Sequence, residues 1–323
     1  MARKRDAGRE PARHARCGAQ RAPPARVRGA LASLAALLAA GCASATGPAA
    51  RFADAHGFAV RTVAGAPFRH VVMQRRTAGA PGDPLWVFIE GDGRPFVAGG
   101  TRVAADPTPH RALALELAAQ TPGAVLYLGR PCYFGLAADP GCGPALWTDA
   151  RYSEAVVASL AAVIRGALAE GGHADAVLVG YSGGGALATL LGARLAGVRA
   201  VVTVAANLDV GAWAEFHRYR PLAGSLDPAR LAPPAAPARL AHLTGGRDAV
   251  VPRALIAGYL AAHAGEIVGD FPDFDHACCW AQAWPAILAD LAPWLDGRAP
   301  LPQPAPGAPQ RAFSVAIARP SGG

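Results

Sequence analysis

Five short apolar runs recur along the chain with helical stretches between them: Leu85–Ile89 (LWVFI), Ala124–Leu128 (AVLYL), Ala176–Val179 (AVLV), Ala200–Val204 (AVVTV) and Leu240–Leu243. Runs of this kind, without polar alternation, mark strands buried on both faces, as happens when helices cover a parallel sheet. Helices are predicted over Pro109–Gln120, Tyr152–Glu170, Gly184–Ala196 and Arg253–Ala264. A last one covers Trp280–Leu295, with Pro285 in its first turn or opening a second segment. Alternating strands and helices imply βαβ units, and the pattern predicts one α/β domain over about residues 56–297 with a doubly wound, mostly parallel sheet. Ahead of it, Phe58–Val63 and Arg69–Gln74 are β-prone runs separated by Ala64-Gly65-Ala66-Pro67, which reads as an antiparallel hairpin.

The flanks read differently. Residues 1–28 hold nine basic and two acidic side chains, whereas the rest of the chain carries 22 basic and 21 acidic ones. The formal charge of +8 therefore belongs to the leader, and the folded part offers no basic footprint for nucleic acid. Ala30–Ala40 is an apolar run of eleven residues, too short to span a bilayer but the right length for a signal-peptide core. It runs into Gly41-Cys42. Residues 1–41 are expected to be an export leader, 42–55 a flexible tether, and the Pro/Gly-rich residues 298–323 a disordered tail.

Export implies an oxidising compartment, where cysteines are read as crosslinks before metal ligands. Within the domain these are Cys132, Cys142, Cys278 and Cys279, with no Cys-x-x-Cys knuckle or His-rich cluster, so neither a metal nor a cofactor is implied. A local Cys132–Cys142 disulfide is preferred because it would close an otherwise floppy Gly/Pro-rich loop. Cys278 and Cys279 are left as a vicinal bridge or two buried thiols.

One motif sits where chemistry would require it. Gly180-Tyr181-Ser182-Gly183-Gly184 directly follows a strand and directly precedes a helix. In a G-x-S-x-G elbow the serine occupies a strained strand-to-helix turn, and the glycines let neighbouring backbone pass closely. In a Gly-rich chain the bare pattern also fits an ordinary turn, but the strand–turn–helix setting favours the elbow. A serine hydroxyl becomes nucleophilic only when a base takes its proton and a carboxylate orients that base. Asp248, between a strand and a helix, and His276, in the loop before the last helix, supply these in the order the elbow demands. Asp209, after the preceding strand, is the alternative acid, Asp248 then being a helix cap. Asp270, Asp273 and Asp275 crowd the histidine.

An oxyanion formed at Ser182 needs two N–H donors. Gly183 is expected to supply one and Asp92, in Glu90-Gly91-Asp92-Gly93, the other, with Gly91 or Gly93 as alternatives. A carboxylate beside an oxyanion is repulsive, so the Asp92 side chain is expected to point away or to be engaged by Arg94 or Arg130. Residues 207–237 contain Trp213, Phe216, His217 and Tyr219, which either roof an acyl pocket or pack a small cap.

On these residues, the region from about Phe58 to Leu295 resembles the α/β-hydrolase superfamily: elbow, late acid and last-loop histidine are in register. It departs from lipase-type members in having Glu90-Gly91 where His-Gly is common. Through IEGDG, GRPC, WTDARYSEAV, NLD and DHACCW it also resembles uncharacterised bacterial lipoprotein hydrolases, and LLAAGC resembles the lipobox in which the cysteine, here Cys42, receives lipid, departing from it in having Ala39 where Leu is usual; an ordinary secretory peptide cleaved nearby and an uncleaved anchor are the alternatives. The resemblance implies a serine hydrolase acting on esters or thioesters, with Ser182, His276 and Asp248 as triad, no cofactor, and attachment to a bacterial envelope membrane through Cys42. An amidase or peptidase using the same triad, and a non-catalytic binding lipoprotein on the same scaffold, are the alternatives.

Overall fold

The apolar runs pair into one eight-stranded sheet. The computed structural model describes residues 47–76, 82–231, 238–263 and 267–297. In chain order these form α1 (Pro48–Ala55), β1 (Ala59–Ala64), β2 (Arg69–Arg75), β3 (Leu85–Ile89), β4 (Phe96–Val97), β5 (Arg102–Val103), α2 (Leu113–Gln120), β6 (Val125–Leu128), α3 (Glu154–Gly171), β7 (Ala176–Tyr181), α4 (Gly183–Gly192), β8 (Val198–Val204), α5 (Val210–Phe216), β9 (Arg239–Gly245), α6 (Ala257–Ala262), β10 (Ile267–Phe271) and α7 (Trp280–Leu295). The large sheet runs β1-β2-β6-β3-β7-β8-β9-β10. β2 is antiparallel to both β1 and β6, and all other neighbours are parallel. The expected hairpin and the expected parallel sheet are both present. The two-stranded β4–β5 ladder is too short to show a period, and sequence reasoning did not foresee it.

Alternate residues of each strand feed opposite faces, which is why the runs are apolar throughout. Val177 and Val179 pack with α2 and α7, whereas Ala176 and Leu178 pack with α3 and α4. Helix α7 buries Trp280, Trp284, Ile287, Leu291 and Trp294, a stripe at helical spacing. Burial of each such side chain contributes roughly 1.5–3 kcal/mol, and the stripe carries α7 as one helix through Pro285. Ser153 caps the start of α3, and Gly172, at φ 66°, closes its end in the left-handed region.

The expected tether is corrected in its second half. Residues 48–55 form α1, with Pro48 in its first turn and Ala53 fully buried, because Phe52 and Ala53 find an apolar partner surface beside α2. The folded domain therefore begins at residue 48 or before. The leader, Cys42 and the tail 298–323 lie outside the described residues. Among the described residues no helix is long and apolar enough to cross a membrane.

Candidate active site

β7 ends at Tyr181 and α4 begins at Gly183, which leaves Ser182 alone to turn the chain, at φ 52° and ψ −123°. That backbone is costly for a residue with a side chain and is held by its surroundings. Ser182 N–H donates to Val204 O (2.9 Å), and its carbonyl accepts from Gly185 N–H (2.9 Å) and Asn207 N–H (3.3 Å). A Cβ on Gly180 would stand 2.3 Å from Gly184 O, and one on Gly184 would stand 2.2 Å from Ile89 O. Both glycines of the motif are thus required by close backbone approach.

The loop after β10 carries His276 to this turn, and the loop after β9 brings Asp248 behind it. His276 Nε2 lies 3.0 Å from Ser182 Oγ, and His276 Nδ1 lies 2.8 Å from Asp248 Oδ2. In the neutral tautomer that joins them, Nδ1–H donates to the carboxylate and Nε2 accepts from the hydroxyl. The Asp248 side chain is fully buried, and its other oxygen accepts from the N–H groups of Val250 and Val251 (both 2.8 Å). Its orientation is therefore fixed by backbone. Asp209 is elsewhere: it caps α5, accepting from Ala212 N–H at 2.8 Å. The acids near the histidine are also engaged, Asp270 with Thr244 and Arg253, Asp273 with Arg247, and Asp275 with the N–H groups of Ala277 and Cys278.

The loop after β3 lies against the elbow. Gly91 N–H is committed to Glu90 Oε1 (3.1 Å), whereas no acceptor among the described residues takes the N–H groups of Asp92 and Gly183. The Asp92 carboxylate is clamped from three sides: Arg130 Nη1 at 2.5 Å, Arg151 Nη1 at 2.8 Å, and the Tyr152 hydroxyl at 2.9 and 2.7 Å from its two oxygens. Arg130 is itself held between aromatic faces, 5.3 Å from the Tyr133 ring centroid and 5.5 Å from that of Tyr152. Burial alone would raise the Asp92 pKa, but Arg151 and Arg130 hold it well below the usual carboxylate range. Tyr133 Oη donates to Asp92 O (2.8 Å) from the segment closed by the Cys132–Cys142 disulfide. Of the two arginines expected here, Arg130 is in place and Arg94 faces His110 instead. Arg151 and Tyr152 were missed, although both lie in the WTDARYSEAV stretch whose polar and aromatic residues the motif did not use.

Glu90 sits beneath this loop, buried, with Oε2 accepting from Ala114 N–H (3.1 Å) at the start of α2 and from Tyr127 Oη (3.4 Å). Burial pushes its pKa up to about 7. Two residues beyond His276, Cys278 and Cys279 are bonded to each other, which resolves the open alternative in favour of the vicinal bridge. No convergent group of three or more His, Cys, Asp or Glu side chains offers a metal site among the described residues.

Ser182 and His276 open into a cleft of about 940 Å³. Its lining includes Glu90–Gly93, Phe96 and Val103 of the β4–β5 ladder, and Trp213, Tyr219, Leu222 and Val250. Trp213 and Val250 are tied together, because Trp213 Nε1 and His217 Nε2 both bond Val250 O (2.9 and 2.7 Å).

The fold and this site's position at the carboxyl ends of the strands define an α/β-hydrolase architecture. Among solved structures, the chain is similar to a protein of unknown function from Agrobacterium tumefaciens described as an α/β hydrolase (TM-score 0.51, 12% identity, 76% of this chain and 100% of that one). It is also similar to an α/β serine hydrolase without a lid from Xanthomonas campestris (0.50, 14%, 73% and 94%) and to the acylaminoacyl peptidase of Pyrococcus horikoshii (0.51, 10%, 75% and 42%). At these identities the likeness shows the fold. A scan of protein-family models and a search of curated proteins find no match.

Proposed function

We propose that this protein is a serine hydrolase that cleaves carboxylic esters or thioesters through an acyl-enzyme. The observation that carries this reading is the continuous relay from Ser182 Oγ through His276 to Asp248, at 3.0 and 2.8 Å. His276 Nε2 takes the hydroxyl proton as Ser182 Oγ attacks the acyl carbon. The imidazolium that results is stabilised by Asp248 and returns the proton to the leaving group. Water, deprotonated by the same nitrogen, then releases the acid. The free N–H groups of Asp92 and Gly183 receive the oxyanion.

We propose in addition that the mature protein starts at Cys42 and is held to a bacterial envelope membrane by lipid on that residue. The LLAAGC string supports this.

The test is labelling by a fluorophosphonate, followed by a panel of esters, thioesters and peptide anilides. Ser182→Ala is expected to abolish labelling, and His276→Ala to lower ester turnover by several orders of magnitude. Labelling of Ser182→Ala at the wild-type rate would remove the mechanism, and faster turnover of anilides than of esters would make the enzyme an amidase.

A further inference from the structure

Five large hydrophobic side chains are exposed among the described residues: Phe96 (43%), Val103 (38%), Phe216 (53%), Tyr219 (56%) and Val250 (41%). Four of them line the cleft, and the fifth ends the helix that carries Trp213. They come from three separate chain segments, so no local sequence bias gathers them. Phe96 and Val103 are a cross-strand pair, which puts both side chains on the same face of the small ladder. Tyr219 lines the same cleft, and its ring is fixed by Trp213 and by stacking on His217, at 5.3 Å each. Apolar groups converging on the mouth of a cleft, and left in water there, mark a surface that is covered when the protein works.

Two further observations say what covers it. The first is reach. Only five residues separate Cys42 from Pro48, so a lipid on Cys42 lies at most about 20 Å from the start of α1. Helix α1 lies beside Arg111: Pro48, Ala49 and Phe52 share a groove with it, and Arg111 also lines the cleft. The start of α1 is therefore on the cleft's side of the fold. The second is charge. Arg102, Arg218 and Arg220 are exposed beside these apolar side chains and pair with no carboxylate among the described residues, so their guanidinium groups are free to meet phosphates, with the acids Asp106, Asp149, Glu215 and Asp275 also exposed nearby.

We infer that the mouth of the cleft is a docking face for a phospholipid bilayer and that the acyl chain cleaved is one drawn from that bilayer. This rests on the hydrolase reading and on lipid attachment at Cys42. Phe96, Val103, Phe216, Tyr219 and Val250 enter the acyl region, and the arginines meet the phosphates. An acyl chain then passes from the bilayer to Ser182 along the apolar side chains that line the cleft. The ester bond to the glycerol oxygen breaks, the acyl group joins Ser182 Oγ, and water releases it as a fatty acid.

The experiment uses the full-length lipidated protein on vesicles of phosphatidylethanolamine and phosphatidylglycerol (3:1). Fatty-acid release is measured beside turnover of soluble p-nitrophenyl acetate. Phe216 and Arg218 lie outside the cleft lining, and the anchor holds wild type and variant to the vesicle alike. Phe216→Ser with Arg218→Glu is expected to lower fatty-acid release at least tenfold and to leave acetate turnover within twofold. Phe96→Ser with Val103→Ser is expected to lower release further. Wild type that turns over acetate but releases no fatty acid would overturn the inference alone, as would wild-type release by both double variants or a parallel loss on both substrates. Failure of the wild type to label with fluorophosphonate would overturn the hydrolase reading and this inference with it.

Discussion

Asp92 Oδ1 fills the space that a side chain on Gly183 would need: a Cβ there would stand 2.1 Å from it and 2.4 Å from the Tyr152 hydroxyl. The two residues whose N–H groups have no acceptor among the described residues are thus locked against each other through a buried carboxylate, two arginines and a tyrosine. Gly183→Ala is expected to expel Asp92 from its clamp and to lower kcat by roughly 10²–10³, the size of effect seen when an oxyanion donor is lost. Burst labelling of Ser182 by fluorophosphonate should slow in parallel. Unchanged kcat in this variant would mean that the loop from Glu90 to Gly93 takes no part in holding the oxyanion.

The acid of the relay can be told from its neighbour by what each carboxylate holds. Asp248 receives two backbone N–H groups and the His276 ring, whereas Asp209 receives the N–H of Ala212 at the start of α5. Asp248→Asn is expected to lower ester turnover by about 10⁴, through loss of the histidine's tautomer and orientation. Asp209→Ala is expected to cost about 1 kcal/mol of stability, as loss of a helix cap does, with turnover nearly unchanged. Denaturant melts and rate assays on the two variants decide this, and the reverse ranking would move the acid to Asp209.

These residues also show what the sequence made legible. The strands could be read because burial on both faces leaves an uninterrupted apolar run, as in Val177–Val179. Ser182, Asp248 and His276 could be read because an elbow imposes both a local motif and a chain order. The Asp92 clamp could be read only in part. Arg130 was a candidate because a carboxylate near an oxyanion must be neutralised, but Arg151 and Tyr152 reach Asp92 across about sixty residues of chain, a closeness that tertiary packing creates and no periodicity records. Helix α1 was hidden for a related reason. Its eight residues are too few to be helical alone, and the burial of Ala53 depends on a surface formed elsewhere in the fold.

Both disulfides stand beside the site. Cys132–Cys142 closes the segment whose Tyr133 bonds Asp92 O, and Cys278–Cys279 precedes α7 directly after the His276 loop. Thiol titration of the denatured, unreduced mature domain is expected to find none of these four cysteines free. Cys132→Ser with Cys142→Ser is expected to lower stability by about 3 kcal/mol, from the entropy of a loop this short, and to lower kcat because Tyr133 is no longer held against Asp92. Retained kcat with lowered stability would confine that bridge to a packing role.

Glu90 makes the fold's stability depend on pH in a direction opposite to that of a salt-bridged carboxylate. Its burial opposes ionisation more strongly than the Gly91, Ala114 and Tyr127 donors favour it, and the pKa rises from an ordinary 4.5 to about 7. Between those values the folded protein keeps a proton that the unfolded chain has released. Unfolding is therefore favoured as pH rises from about 4.5 to 7, and above that range the dependence is flat. The shift corresponds to ~3 kcal/mol, which for a domain of this size is roughly 5–10 °C in Tm. Glu90→Gln keeps the shape and removes the ionisation, so its Tm is expected to fall by that much less than the wild type's between pH 5 and pH 8. Thermal melts of the two proteins across this range measure the difference. Equal slopes would mean that Glu90 ionises inside the fold near its ordinary pKa, and that its three donors offset its burial beneath the loop from Glu90 to Gly93.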